Sequence, residues 1–218
     1  MSAQVDRFVH DRLPPAAQLP VFRYDLPELQ LPDQLNLVEE LLDKATAKGF
    51  GDNPMLRSPQ GTLTYSQAAV EVNRIAQVLT EDLGLVPGNR VLLRGGNSVA
   101  MALAWLAVVK AGLIAVATMP LLRSNELGEI IEKAQPVAAL CDGRLLDELA
   151  TAQREHPVLA TVIAFNQPDA PDSLSSRAAK KSGVFTACPT AADDIALLAF
   201  TSGTTGKPKA PVTTHRDA

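Results

Sequence analysis

Thr201-Ser202-Gly203-Thr204-Thr205-Gly206-Lys207-Pro208-Lys209 places hydroxyls, glycines and two lysines directly after the apolar run Ile195-Ala196-Leu197-Leu198-Ala199-Phe200. Residues of these types in this order can hold phosphate. Thr201, Ser202, Thr204 and Thr205 carry hydroxyl donors, Gly203 and Gly206 let the backbone turn N–H groups toward an anion, and Lys207 and Lys209 supply positive charge. The segment is not the P-loop pattern G-x-x-x-x-G-K-[ST], because only two residues separate Gly203 from Gly206 and Pro208 stands where that pattern has Ser or Thr. Pro208 and Pro211 discourage a following helix, whereas Val212-Thr213-Thr214 suit a strand. The expectation is strand, phosphate loop, strand.

The elements upstream must position that loop. Thr64 and Gln67 form a capping box for an amphipathic helix carrying Ala68, Val72, Ile75, Ala76, Leu79 and Leu83, closed by Gly84. Residues 90–94 read as a strand, and Gly95-Gly96-Asn97 leads into a buried helix over 98–111 that stops at Gly112. A buried strand over 113–117 follows, then a helix capped by Ser124 and ended by Pro136, a strand at 137–140, a helix capped by Asp142, and a strand over 159–164. Apolar strands alternating with helices predict a doubly wound α/β fold, mainly parallel, with helices on both faces. Gly95-Gly96 reads as a tight turn, since the dinucleotide fingerprint G-x-G-x-x-G is absent.

With these motifs in place, the chain resembles the adenylate-forming acyl-CoA synthetase and luciferase superfamily, the AMP-dependent synthetases and ligases. The resemblance is carried by residues 201–209, and upstream by Leu63-Thr64-Tyr65-Ser66-Gln67, Pro87-Gly88-Asn89-Arg90-Val91 and the run from Asn97 through Met119 to Pro120. Arg123-Ser124-Asn125-Glu126-Leu127, Lys207-Pro208-Lys209-Ala210 and His215-Arg216-Asp217 are similar to aryl-CoA ligases, including 2-aminobenzoate– and benzoate–CoA ligases. Pro211 departs from the usual pattern. The resemblance implies an ATP-dependent carboxylate–CoA ligase, in which the loop holds the β- and γ-phosphates of ATP while a small carboxylate, here an aromatic acid, attacks the α-phosphorus. Pyrophosphate leaves, and CoA then takes the acyl group as a thioester. ATP with Mg2+ and CoA are the implied cofactors.

In this reading Thr201, Ser202, Thr204 and Thr205 donate hydroxyl hydrogen bonds, Gly203 and Gly206 donate backbone N–H groups, and Lys207 and Lys209 offset phosphate charge. His215 is a candidate contact to the acyl substrate, with a structural histidine as the open alternative. The later motifs of the family are expected to lie beyond this stretch, so the chain is read as an incomplete N-terminal domain. On that reading it holds no catalytic residue or metal ligand, is inactive alone and binds no cofactor tightly. A stand-alone nucleotide-binding module and a non-catalytic partner-binding α/β domain remain open as alternatives.

Composition narrows the class further. A chain of 218 residues with 46% hydrophobic content can bury a core. A net charge of −4 without a basic stripe argues against nucleic acid. Cys141 and Cys188 lack metal-ligand or disulfide spacing, and the first residues lack the apolar core of a signal peptide, which points to the cytoplasm. Residues 99–119 are apolar enough to suggest a membrane span, but Lys110 and Gly112 divide them into helix and strand.

Four regions are expected: a proline-rich extension at 1–34, an α/β subdomain at 35–165, a flexible connection at 166–192, and the strand, loop and strand of 193–218. In the second of these, Leu35, Leu37, Val38, Leu41 and Leu42 begin the first helix. In the third, Lys180-Lys181 reads as a solvated charge pair. A last strand left at the sheet edge would invite self-association.

Overall fold

The computed structural model describes residues 1–19, 21–27, 30–167, 170–201 and 208–218. After an N-terminal extension and a helical stretch over 37–50 comes a hairpin, β1 (Pro54–Ser58) and β2 (Gly61–Thr64). The remaining elements are α1 (Tyr65–Gln77), β3 (Arg90–Arg94), α2 (Val99–Lys110), β4 (Ile114–Thr118), α3 (Ser124–Ala134), β5 (Ala138–Asp142), α4 (Leu146–Glu155), β6 (Thr161–Phe165), α5 (Leu174–Ala178), β7 (Ile195–Ala199) and β8 (Val212–Thr214). The hairpin was not legible in the sequence, because its strands are short and Met55 and Leu56 stand side by side where alternation would separate them.

Six strands form one sheet in the order β6-β5-β3-β4-β7-β8. Every neighbouring pair is parallel except β7 and β8. Alternation along the strands sends Val91, Leu93, Ala115 and Leu140 to a core shared with α1 and α2, and Leu92, Ile114, Val116 and Ala139 to a second core under α3 and α4. All residues of β3 and β5 are buried, as strands covered on both faces must be. The doubly wound α/β expectation therefore holds.

Local signals set most of the helix ends. Thr64 accepts from Gln67 N while the Gln67 side chain accepts from Thr64 N at 2.9 Å, completing the capping box. Ser98 caps α2, and Gly112 takes φ +73° after its last turn, where an added Cβ would also meet Cys188 Sγ at 2.6 Å. Asp142 caps a short 3-10 turn at Gly143–Leu145 that leads into α4. Ser124 is not a cap: it is the first helical residue, and its N–H donates to the Glu148 carboxylate at 2.8 Å. Glu126 instead reaches back to the Arg123 N–H. Gly95 is required by packing, because a Cβ there would lie 2.7 Å from the Phe165 ring.

The chain segment at 166–192 carries α5, whose Leu174 and Ala178 join the core. Its Cys188 N–H donates to Lys110 O, and Gln77 bonds Ser182 and Gly183. Lys181 is not a solvated charge: it pairs with Glu81 at 2.9 Å and Asp82 at 2.5 Å, and only 15% of its side chain is exposed. The N-terminal extension is tied to the sheet through Gln4 and Asp6. Gln4 exchanges hydrogen bonds with the Ile195 backbone, and Asp6 pairs with buried Arg90. Among the described residues no helix is long and apolar enough to cross a membrane.

Candidate functional site

β7 is an apolar strand between β4 and β8, and its C-terminal end delivers Phe200 and Thr201 to the edge where β3, β4 and β5 also end. Open parallel sheets bind ligands at this edge, because strand ends and helix N-termini gather there. Thr201 and Lys209 form an antiparallel bridge, with Thr201 N donating to Lys209 O at 2.9 Å and Lys209 N donating to Thr201 O at 3.1 Å. Both side chains are exposed. Strands β7 and β8 thus stand on either side of the motif. Ser202, Gly203, Thr204, Thr205, Gly206 and Lys207 lie outside the described residues.

Two cavities meet at Thr118, the last residue of β4. One, of about 540 Å³, opens on the α2 face beside Ser98, Met101 and Trp105. The other, of about 440 Å³, lies on the α3 face between Met119 and Leu122 on one side and Phe200, Thr201 and Pro208 on the other. Thr118 Oγ1 donates to Leu93 O at 2.9 Å, which ties the two strand ends together.

The wall of the second cavity is organised by a residue that sequence reasoning missed. Arg94 ends β3 with 1% exposure and has no carboxylate partner among the described residues. It donates instead to four main-chain oxygens, Leu145 O at 3.2 Å, Met119 O at 3.3 Å, Pro120 O at 3.2 Å and Leu122 O at 2.8 Å. Burial lowers its pKa, with Cys141 and Glu148 pulling the other way. The signal was available: a charge inside a strand that must be buried on both faces needs partners.

His215 stands elsewhere. β8 runs back along β7, so Val212 faces Leu198 while Thr214 faces Ile195, and the His215 N–H donates to Asp194 O. The imidazole is therefore at the opposite end of β7 from Thr201. It is 1% exposed, and its Nδ1 accepts from Leu37 N at 3.2 Å. Its Nε2 has no partner among the described residues. Burial pushes its pKa down to about 4, Asp194 acting weakly in the other direction. The geometry brings Thr201 and Lys209 together and leaves His215 as a packed residue between β8 and the helical stretch at 37–50.

Cys141 and Cys188 are free thiols. Burial raises the first to about 12 and the second to about 11, so neither is a nucleophile at neutral pH.

A family profile described as "AMP-binding enzyme" matches residues 43–218. The chain is 28% identical over 191 residues to benzoate–CoA ligase of Thauera aromatica, covering 88% of this chain and 36% of that protein. It is 32% identical over 182 residues to salicyl-AMP ligase / salicyl-S-ArCP synthetase of Mycobacterium tuberculosis, covering 80% and 31%. It thus spans about a third of the length of these curated relatives. Among solved structures, the anthranilate CoA ligase AuaEII in complex with anthranoyl-AMP superposes with a TM-score of 0.80 at 22% identity, over 88% of this chain and 36% of that one, a likeness of fold. ATP-bound MatB from Rhodopseudomonas palustris gives 0.71 at 32% identity, over 84% and 35%.

Proposed function

We propose, because this chain belongs to the AMP-binding enzyme family, that it forms the triphosphate-gripping part of an ATP-dependent carboxylate–CoA ligase. The single observation that carries the reading is the Thr201–Lys209 bridge at the C-terminal edge of the parallel sheet, which roots the motif where ligands of such sheets bind. Thr201 and Lys209 fit an anionic ligand there, being exposed donors at the mouth of one strand. Ser202, Thr204 and Thr205 are assigned as further hydroxyl donors, Gly203 and Gly206 as backbone donors, and Lys207 as the second cation.

When bound, ATP supplies the electrophilic α-phosphorus that a carboxylate attacks, with pyrophosphate as leaving group. The chain's own part is to orient and neutralise the departing phosphates, so positioning and electrostatics carry its contribution. No general base is needed, since an ionised carboxylate is already a nucleophile. The acid is assigned as aromatic, benzoate or 2-aminobenzoate, on the likeness to benzoate–CoA ligase and to the anthranilate CoA ligase fold. Mg2+ and CoA belong to the reaction as a whole, and no residue of this chain is assigned to them. The assigned regions are the extension at 1–34, the α/β subdomain at 35–165, the connection at 166–192 and the gripping unit at 193–218, in a cytoplasmic protein.

Calorimetric titration of the 218-residue chain with Mg·ATP tests this. Weak binding, about millimolar, is expected, and the Lys207→Ala/Lys209→Ala double variant should abolish it. Absence of any heat at several times that concentration would overturn the reading. Joined to the remainder of an aromatic-acid ligase, the chain should support pyrophosphate release with benzoate or 2-aminobenzoate.

A second expectation concerns β8. It is a three-residue edge strand with Val212 exposed, and open edges invite pairing. The apparent mass in light scattering should rise with concentration, whereas a constant monomer mass would exclude pairing through this edge.

A further inference from the structure

The root of the motif is held from a second direction, by a helix remote in sequence. Lys133, in the last turn of α3, donates its ammonium to Pro208 O at 2.7 Å across a separation of 75 residues. On a helix its ordinary partner would be Glu129, four positions earlier. Glu129 and Glu132 line the same surface cavity, yet among the described residues Lys133 makes no ion pair. The ammonium is committed to the backbone oxygen instead.

That oxygen and the Lys209 N–H belong to one planar trans peptide unit. Its oxygen is held by Lys133 and its N–H by Thr201 O, so both polar ends of the plane are fixed at once. Proline at 208 contributes a restricted φ and no donor of its own. With the plane fixed at both ends and φ restricted before it, the direction in which Lys209 leaves the backbone is set by α3.

We propose that Lys133 is a positioning residue for triphosphate binding: it touches no phosphate, but it locks the Pro208–Lys209 peptide unit and thereby the placement of Lys209 and Thr201. The proposal rests on the reading that this segment grips a triphosphate. A lysine that only complemented the C-terminal end of α3 would leave the Lys209 amide unaffected by its removal.

The test compares wild type, Lys133→Met and Lys133→Arg by amide hydrogen exchange at Thr201 and Lys209, Mg·ATP calorimetry and thermal unfolding. Lys133→Met should speed exchange at Lys209 about fivefold and weaken ATP binding by a similar factor, with little change in Tm, because one charge-assisted hydrogen bond at the surface is lost. Lys133→Arg should restore both. Unchanged exchange at Lys209 overturns the tether whatever the nucleotide does. Faster exchange with unchanged ATP affinity overturns the positioning role. Wild type that binds no ATP overturns the phosphate-grip reading and this proposal with it, and the exchange data then report on the tether alone.

Discussion

Arg94→Met is expected to destabilise the fold by about 3 kcal/mol, read as a lower urea midpoint with an unchanged slope. The guanidinium bonds four main-chain oxygens drawn from two loops, three of them between Met119 and Leu122 and the fourth at Leu145. Methionine fills similar space but donates nothing, so these acceptors lose charge-assisted bonds of about 1.5–3 kcal/mol each. Relief from burying an unpaired charge, visible in the lowered pKa, offsets part of that loss. Lysine should recover little, since a point charge cannot span oxygens that a planar fork reaches. The β4–α3 loop would also lose its anchor, so the cavity wall at Met119 and Leu122 should loosen before the sheet does. A variant as stable as wild type would mean that water replaces the arginine at no cost, and would sink the argument.

The second large effect is acid lability through His215. Its pKa is about 6.5 when unfolded and is pushed down to about 4 by burial, with the ring held neutral by the Leu37 N–H at Nδ1. Between these values the unfolded chain binds a proton that the folded chain refuses. Stability is therefore complete above about pH 6.5 and falls as the pH is lowered toward 4, by about 3 kcal/mol over the window. Below that window both states are protonated and this ring contributes no further loss. His215→Asn keeps an acceptor near the Nδ1 position but cannot titrate, so it should flatten the pH dependence. Equal slopes in wild type and variant between pH 4 and 6.5 would show that the acid sensitivity lies elsewhere. Asp142, whose carboxylate is held well below its ordinary range first by the Arg144 guanidinium, acts only at lower pH.

Much of the fold was legible because its signals are local. A capping box at Thr64 and a glycine stop at Gly112 each act within one helical turn, and each stands where the sequence placed it. Apolar runs bounded by such signals are enough to distinguish strand from helix, and Pro208 and Pro211 are enough to rule out a helix after the motif. Ser124 shows the limit of the same logic. Its hydroxyl was a plausible cap, but Glu126 reaches back to Arg123 and Glu148, from α4, takes the Ser124 N–H, a contact no local window contains. Lys181 likewise looked solvated until its segment folded against Glu81 and Asp82, about a hundred residues earlier in the chain.

The sequence by itself determined the residue types of 201–209 on which the phosphate-grip proposal rests, the strands on either side of them and the alternation of helix and strand. Those depend on residue type and on spacings of a few positions. Only the tertiary structure decided the order β6-β5-β3-β4-β7-β8, the reversal at β8 that carries His215 to the far end of β7, the four oxygens around Arg94, and the meeting of Lys133 with Pro208. Those outcomes depend on which apolar faces bury one another, and a buried charge or a strand neighbour acquires its partners only when distant segments are packed together.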